Sequence, residues 1–302
     1  MREEAYALSG ILARGSRRSR ELAASRNVPL FESTKELTGE SDIACFAIGS
    51  SGSEIIPNLL AMGMHVLCEH PRLKADLDAA FHCASKNHVC FHVNGHFGDL
   101  PAPMTFIEKM RTFVPLAPLH LNVAVTNRSL YAAVDIIRRG LGRLAPFEFA
   151  FPTRAGLFAC TSGLLAGVPT TFQIQDRSGT RLGPLADRSG DYSSDFQIIA
   201  VYPEGVLSLL SLAGPVVWNR NYNRAAGEEA LWSALGRDRA FTAKELRRER
   251  VLANLAAIDQ LARSIRGSPP ASEQTSEHIL EVAEVWELLC ERLKGRDDNG
   301  RQ

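Results

Sequence analysis

The chain has 302 residues, 45% of them hydrophobic, with 34 basic residues balanced by 34 acidic ones and a formal net charge of zero. That is enough apolar material for a large core and, at this length, for two domains. The balance leaves no global field to hold nucleic acid or an anionic membrane, and no apolar run nears the roughly 20 residues of a membrane span.

Met1–Tyr6 lacks the apolar segment of a secretion signal, so a cytoplasmic protein is expected. Leu8–Ala13 predicts a strand that runs into Arg14-Gly15-Ser16-Arg17-Arg18-Ser19, with a helix over Arg17–Asn27. Strands follow at Asp42–Ile48, His65–Cys68 and Val89–Val93, separated by helices at Ser53–Met62 and Leu73–Lys86. Strands alternating with helices imply a parallel sheet covered by helices. Arg14, Gly49, Glu69 and Asn94 follow strand ends and are expected to line one crevice.

The pattern changes after Asn94. Helices are expected near Pro103–Phe113 and Leu130–Leu141, then strands at Phe147–Phe151, Thr170–Gln175, Phe196–Tyr202, Val206–Leu212 and Val216–Trp218. Turns at Arg177-Ser178-Gly179 and Pro203-Glu204-Gly205 point to an antiparallel or mixed sheet. Two helices, Thr242–Arg266 and Gln274–Lys294, close the pattern around Gly267-Ser268-Pro269-Pro270. The reading is an α/β chain with a nucleotide-binding domain at 1–94 and an α+β domain at 95–302, the latter with an open, mainly antiparallel sheet and C-terminal helices.

The Arg14–Ser19 cluster combines guanidiniums with hydroxyls, as a phosphomonoester pocket does. In a dinucleotide-binding fold the residue ending the second strand meets the adenosine ribose, where an acid selects NAD and an arginine admits the 2′-phosphate of NADP. Arg14 holds that position, helped by Ser16, Arg17 and Ser19. The plainer reading, that Ser16 or Ser19 caps the next helix, is compatible with it. Glu69-His70-Pro71 sets an ionisable pair at the end of an apolar strand, where open sheets bind ligands; a cap and an incidental loop histidine are the alternative. Gly49-Ser50-Ser51-Gly52-Ser53 is either a pyrophosphate turn or a flexible cap, without the spacing of a P-loop or a G-x-G-x-x-G turn.

His88, Cys90, His92, Asn94 and His96 alternate along a strand. Same-face neighbours there stand about 6.6 Å apart, too far for one zinc, and no metal is expected. Cys45, Cys68, Cys83, Cys90, Cys160 and Cys290 form no C-x-x-C pair and are expected as free thiols.

Together, Gly10–Ser19, Gly63–Pro71 ending in Glu-His-Pro, His92-Val93-Asn94 with Leu100-Pro101-Ala102, and Gly214–Trp218 resemble the thiazolinyl imide reductases of siderophore biosynthesis. These are a branch of the glucose-fructose oxidoreductase/inositol dehydrogenase (Gfo/Idh/MocA) family. The resemblance implies an NADPH-dependent oxidoreductase that reduces a thiazoline C=N to a thiazolidine while the intermediate is tethered to a carrier domain of a nonribosomal peptide synthetase. It implies that Arg14, Ser16, Arg17 and Ser19 bind the cofactor, that Glu69, His70 and Asn94 lie near nicotinamide and substrate, and that a homodimer forms through the second domain's sheet. His70 matches the motif and is the first candidate proton donor. Relatives carry a tyrosine where this chain has Phe97, which leaves His70 or His96 to donate, a different substrate, or weak activity.

The wider family has Glu-Lys-Pro where this chain has Glu-His-Pro. A dehydrogenase of the same family acting on another small substrate is the first rival reading, and a non-catalytic scaffold without cofactor is the second. The resemblance also implies a strand and glycine-rich turn ahead of Ala5. The nucleotide-binding sheet is therefore expected to be incomplete at its N-terminal side, with a gap beside the Ile11 strand, through a misplaced start, a degenerate gene or a functional form lacking that strand.

Overall fold

The computed structural model describes residues 6–37, 41–48, 52, 54–113, 117–175, 196–223, 230–236 and 242–294. The chain forms two units, Met1–Val93 with Leu261–Pro269, and Asn94–Gln260 with Pro270–Gln302. The sequence reading divides the chain one residue later and does not anticipate that 261–269 groups with the first unit.

In the first unit the order is β1 (Ile11–Leu12), α1 (Arg17–Arg26), β2 (Leu30–Phe31), β3 (Ile43–Phe46), α2 (Ile55–Ala61), β4 (His65–Glu69), α3 (Lys74–Lys86) and β5 (Phe91–Asn94), whose last residue begins the second unit. β1 and β2 form one parallel pair; β3 runs parallel to β4, which lies between β3 and β5 in a second sheet. Among the described residues no ladder joins β1 to β3, so the sheet is split where the sequence predicts a gap. This is a Rossmann-type arrangement.

Burial explains the pattern. Val66, Leu67 and Cys68 of β4 are all buried, as a strand covered on both faces requires. α2 turns Ile56, Leu59 and Leu60 inward and α3 turns Leu77, Ala80 and Ala84 inward, each at helical spacing. Phe81 meets Phe91 edge to face at 5.0 Å, an arrangement that contributes about 0.5–1.5 kcal/mol beyond its buried area.

The second unit contains α4 (Pro101–Thr112), β6 (His120–Thr126), α5 (Leu130–Leu141), β7 (Phe147–Phe149), β8 (Thr153–Ala155), β9 (Phe158–Leu165), β10 (Val168–Gln175), β11 (Phe196–Tyr202), β12 (Gly205–Leu209), β13 (Val216–Arg220), β14 (Trp232–Leu235), α6 (Ala243–Ile265) and α7 (Ser276–Lys294). The sheet runs β14-β13-β12-β11-β6-β10-β9-β7, with β8 also on β9. β6 and β10 are parallel and the other pairs antiparallel, so the sheet is mainly antiparallel.

Register keeps one face apolar: Val123 pairs with Phe172 and Ile198, all fully buried. The opposite face carries Asn122 paired with Thr171 and Ile199, and Glu148 stands exposed at its β7 edge. α5 is buried from Leu130 to Gly140 on every side, packed on β6 between α4 and α7.

The sequence reading misses β2, β6, β8, β9 and β14. β6 sits mid-sheet and alternates correctly, with Leu121, Val123 and Val125 inward, but it follows a proline-rich stretch that reads as loop. The middle of β9, Ala159–Gly163, is Ala, Cys, Thr, Ser and Gly; pairing on both sides, not propensity, makes it a strand. The expected turn at Pro203 is a two-residue hairpin with Tyr202 paired to Gly205, whereas Arg177-Ser178-Gly179 lies outside the described residues.

Candidate functional site

β1 delivers Arg14 to the surface, and Gly15, with φ at +68°, turns the chain into α1 through a conformation that side chains disfavour. Ser16 is the N-cap: its Oγ accepts from the Ser19 N–H at 3.2 Å, and Ser19 Oγ donates to the Ser16 carbonyl at 2.9 Å. The capping reading is realised. The helix start has a second property, however, because its first turn has no acid and presents Arg17 and Arg18, both exposed. Cations at a helix N-terminus oppose the macrodipole by about 0.3–1 kcal/mol each. The cluster thus combines exposed guanidiniums, the Ser16 hydroxyl and a positive helix end, which suits an external anion. The exposed Arg17–Glu21 pair, at 3.5 Å, contributes little against this.

Glu32, just after β2, is missed by the sequence reading. Arg20 Nη2 lies 3.8 Å from its Oε1, and the Glu32 N–H donates to Glu36 Oε2 at 3.1 Å. Its signal was an acid directly after the apolar pair Leu30–Phe31. At the end of β4, Glu69 is exposed and His70 partly exposed, and the His70–Pro71 peptide is cis. Of the Gly49–Ser53 turn, all but Gly52 lies outside the described residues.

Asn94 ends β5, and its Nδ2 donates to Asn254 Oδ1 on α6 at 2.6 Å. The chain then turns through Gly95–Asp99, where the His96 ring is 5% exposed and 4.1 Å from the Phe97 ring, and the Arg250 guanidinium lies 5.4 Å from Phe97. Thus the structure joins Ser16 to Ser19 and seats Asn94 and His96 beside one turn within the second unit.

Beneath that turn lies an ion network with no counterpart in the sequence reading. Arg139 Nη1 donates to Asp99 Oδ1 at 2.6 Å, and its Nη2 sits 3.0 Å from Asp135 Oδ2 and 3.3 Å from the Gly95 carbonyl. Asp135 Oδ1 meets His278 Nε2 at 2.7 Å. Burial pushes the Asp135 carboxyl up, but the Arg139 guanidinium and His278 outweigh it and hold the group well below the usual carboxylate range. For Asp99, burial prevails over Arg139 and raises its pKa. Glycine is needed at Gly98, where a Cβ would stand 2.7 Å from Arg139 Cζ. The available signal was Asp135, Arg138 and Arg139 interrupting an otherwise apolar helix. Arg138 is likewise neutralised, by Glu281 and by Glu277 at 3.7 Å.

Among the described residues no group of three or more His, Cys, Asp or Glu side chains is arranged to hold a metal, and no helix is long and apolar enough to cross a membrane.

No curated protein sequence matches the chain. Solved structures similar to it include a UDP-N-acetylglucosamine 3-dehydrogenase from Acidithiobacillus ferrooxidans, with TM-score 0.68, 16% identity and coverage of 95% of this chain and 89% of that one. Another is an oxidoreductase from Agrobacterium radiobacter in complex with NAD+, L-tartaric acid and magnesium, with TM-score 0.68, 13% identity and coverage of 99% and 91%. A 3-ketoreductase from Actinomadura kijaniata in complex with NADP matches with TM-score 0.65, 15% identity and coverage of 93% and 87%. At such identities the likeness is one of fold. Residues 1–95, about a third of the chain, match the family described as oxidoreductase family, NAD-binding Rossmann fold (GFO_IDH_MocA).

Proposed function

We propose that the chain is an NADPH-dependent reductase acting on a carrier-bound thiazoline C=N in nonribosomal peptide or siderophore assembly. The observation that carries the cofactor part is the cationic start of α1: Arg14 exposed beyond β1, Ser16 capping, and Arg17 and Arg18 in a first turn that lacks an acid. This donor set fits a 2′-phosphate, with Arg14, Ser16, Arg17 and Ser19 holding it. Each charge-assisted contact contributes about 1.5–3 kcal/mol. NADPH, when bound, supplies the hydride for the C=N carbon.

The protein's own part is to orient and to protonate. Glu69, His70 and Asn94 are assigned to the neighbourhood of nicotinamide and substrate. Negative charge develops on the ring nitrogen during reduction, so a proton donor within hydrogen-bond reach lowers the barrier. His70, partly exposed at a strand end, suits this role better than His96, which is 5% exposed. Phe97 has no proton to give. The open face of the large sheet is assigned to a second copy of the chain, and the compartment to the cytoplasm.

The second reading, a dehydrogenase or ketoreductase of a sugar-type substrate, is favoured by the names of the structural relatives. NADPH oxidation assayed with a 2-substituted thiazoline thioester and, in parallel, with a 3-keto sugar nucleotide separates the two. Turnover of the thiazoline alone supports the first reading, and turnover of the keto sugar alone replaces it with the second.

A further inference from the structure

The residue after the Glu69-His70-Pro71 bend is Arg72, an arginine only 2% exposed. Its guanidinium lies 4.7 Å from the centre of the Phe46 ring, and Nη2 donates to the carbonyl of Ile48. Phe46 and Ile48 mark the end of β3 and Arg72 follows β4, so the group sits at the carboxyl ends of two adjacent parallel strands. Open α/β sheets bind their ligands at such ends.

Two of its nitrogens are left over. Nε and Nη1 are buried and have no hydrogen-bond partner among the described residues. A guanidinium keeps its charge throughout the physiological range, and buried charges are ordinarily paired. Buried donors are nearly always bonded, so two idle ones on a fixed cation require an explanation. Cys68 is not the missing counter-charge, because burial pushes its thiol up to about 11 even with Arg72 pulling the other way. A neutral thiol balances nothing.

We propose that Arg72 forms an interior oxyanion site for phosphoryl groups, filled in the working protein by the pyrophosphate of the nicotinamide dinucleotide. The assignment of the occupant rests on the cofactor reading above, while the anion site itself does not. Nε and Nη1 donate to phosphoryl oxygens, and Nη2 stays on the Ile48 carbonyl and fixes the plane of the group. The site is separate from the Arg14–Ser19 cluster, which takes the 2′-phosphate.

The test compares the parent chain with Arg72→Gln, Arg72→Lys and Arg72→Leu, titrated with NADPH, 2′-AMP and inorganic pyrophosphate and melted with and without each. Arg72→Gln is expected to weaken NADPH by about 10- to 100-fold and to leave 2′-AMP, which lacks the pyrophosphate, unchanged; Arg72→Lys recovers part of the loss. Without ligand, Arg72→Leu melts no lower than the parent, because an unpaired buried charge has been removed. Equal NADPH affinity in parent and Arg72→Gln overturns the proposal, as does a lower melting point for Arg72→Leu with nucleotide binding intact. If the parent binds neither NADPH nor 2′-AMP, the cofactor reading fails by itself. Pyrophosphate then decides: Arg72-dependent stabilisation upholds the anion site, and no stabilisation overturns it.

Discussion

Replacing Arg139 with methionine keeps most of the side chain's volume while removing the charge that neutralises the half-buried Asp99 at 2.6 Å and the buried Asp135 at 3.0 Å. Losing one partner of a buried pair costs about 3–5 kcal/mol, because the remaining charge stays desolvated. For a unit of this size each kcal/mol corresponds to about 2–4 °C, so the melting temperature should fall by about 6–20 °C. The same change frees the Gly95–Asp99 turn, which Arg139 holds through Asp99 and the Gly95 carbonyl. Calorimetry gives the first quantity, and amide exchange of residues 95–99 gives the second. Adding Asp99→Asn to Arg139→Met should recover part of the loss by removing one stranded charge. A cost below about 1 kcal/mol, or exchange in the turn unchanged, would refute the network's role as the anchor of that turn.

Asp135→Asn tests the sign of the electrostatics. The Asp135 pKa is lowered in the folded chain, so its stabilisation is fully present above the unfolded value of about 3.9 and is lost as pH falls through the folded one. The stability gap between parent and variant should shrink below about pH 4; a gap growing in acid contradicts this. Alkylation at pH 7.5 with peptide mapping should label exposed Cys160 well before Cys68, which is buried and has its thiol pushed up to about 11. Arg14→Ala with Arg17→Ala should weaken NADPH about 10- to 100-fold and leave NADH unchanged; equal losses for both dinucleotides would remove the 2′-phosphate assignment. His70→Ala should lower kcat by about 10²–10⁴ and abolish the fall in rate as pH rises through the donor's pKa, and a variant with the parent's profile would take His70 out of the reaction.

Most of the first unit, β2 and 261–269 excepted, is legible because its elements are punctuated: apolar runs at Ile11, Ile43, His65 and Phe91 end in polar residues, and helices with inward faces three or four residues apart lie between. Even the split between β1 and β3 was expected. The second unit was half legible. β11 and α5 have the predicted limits, whereas β9 exists because β10 and β7 pair with it, which no local pattern announces. Helix capping by Ser16 could be read from the hydroxyl before the helix. The Arg139–Asp135–His278 network could not, since it joins residues up to 179 positions apart, from Asp99 to His278. The role of Arg72 is silent in the sequence for the same reason: its burial depends on how β3 and β4 lie side by side.

Fluorescence titration of the 302-residue chain with NADPH and NADH addresses the cofactor assignment directly. Saturable binding of both, with NADPH at least tenfold tighter, is the expected result. Absence of saturable binding by either nucleotide, or equal affinity for the two, would contradict it.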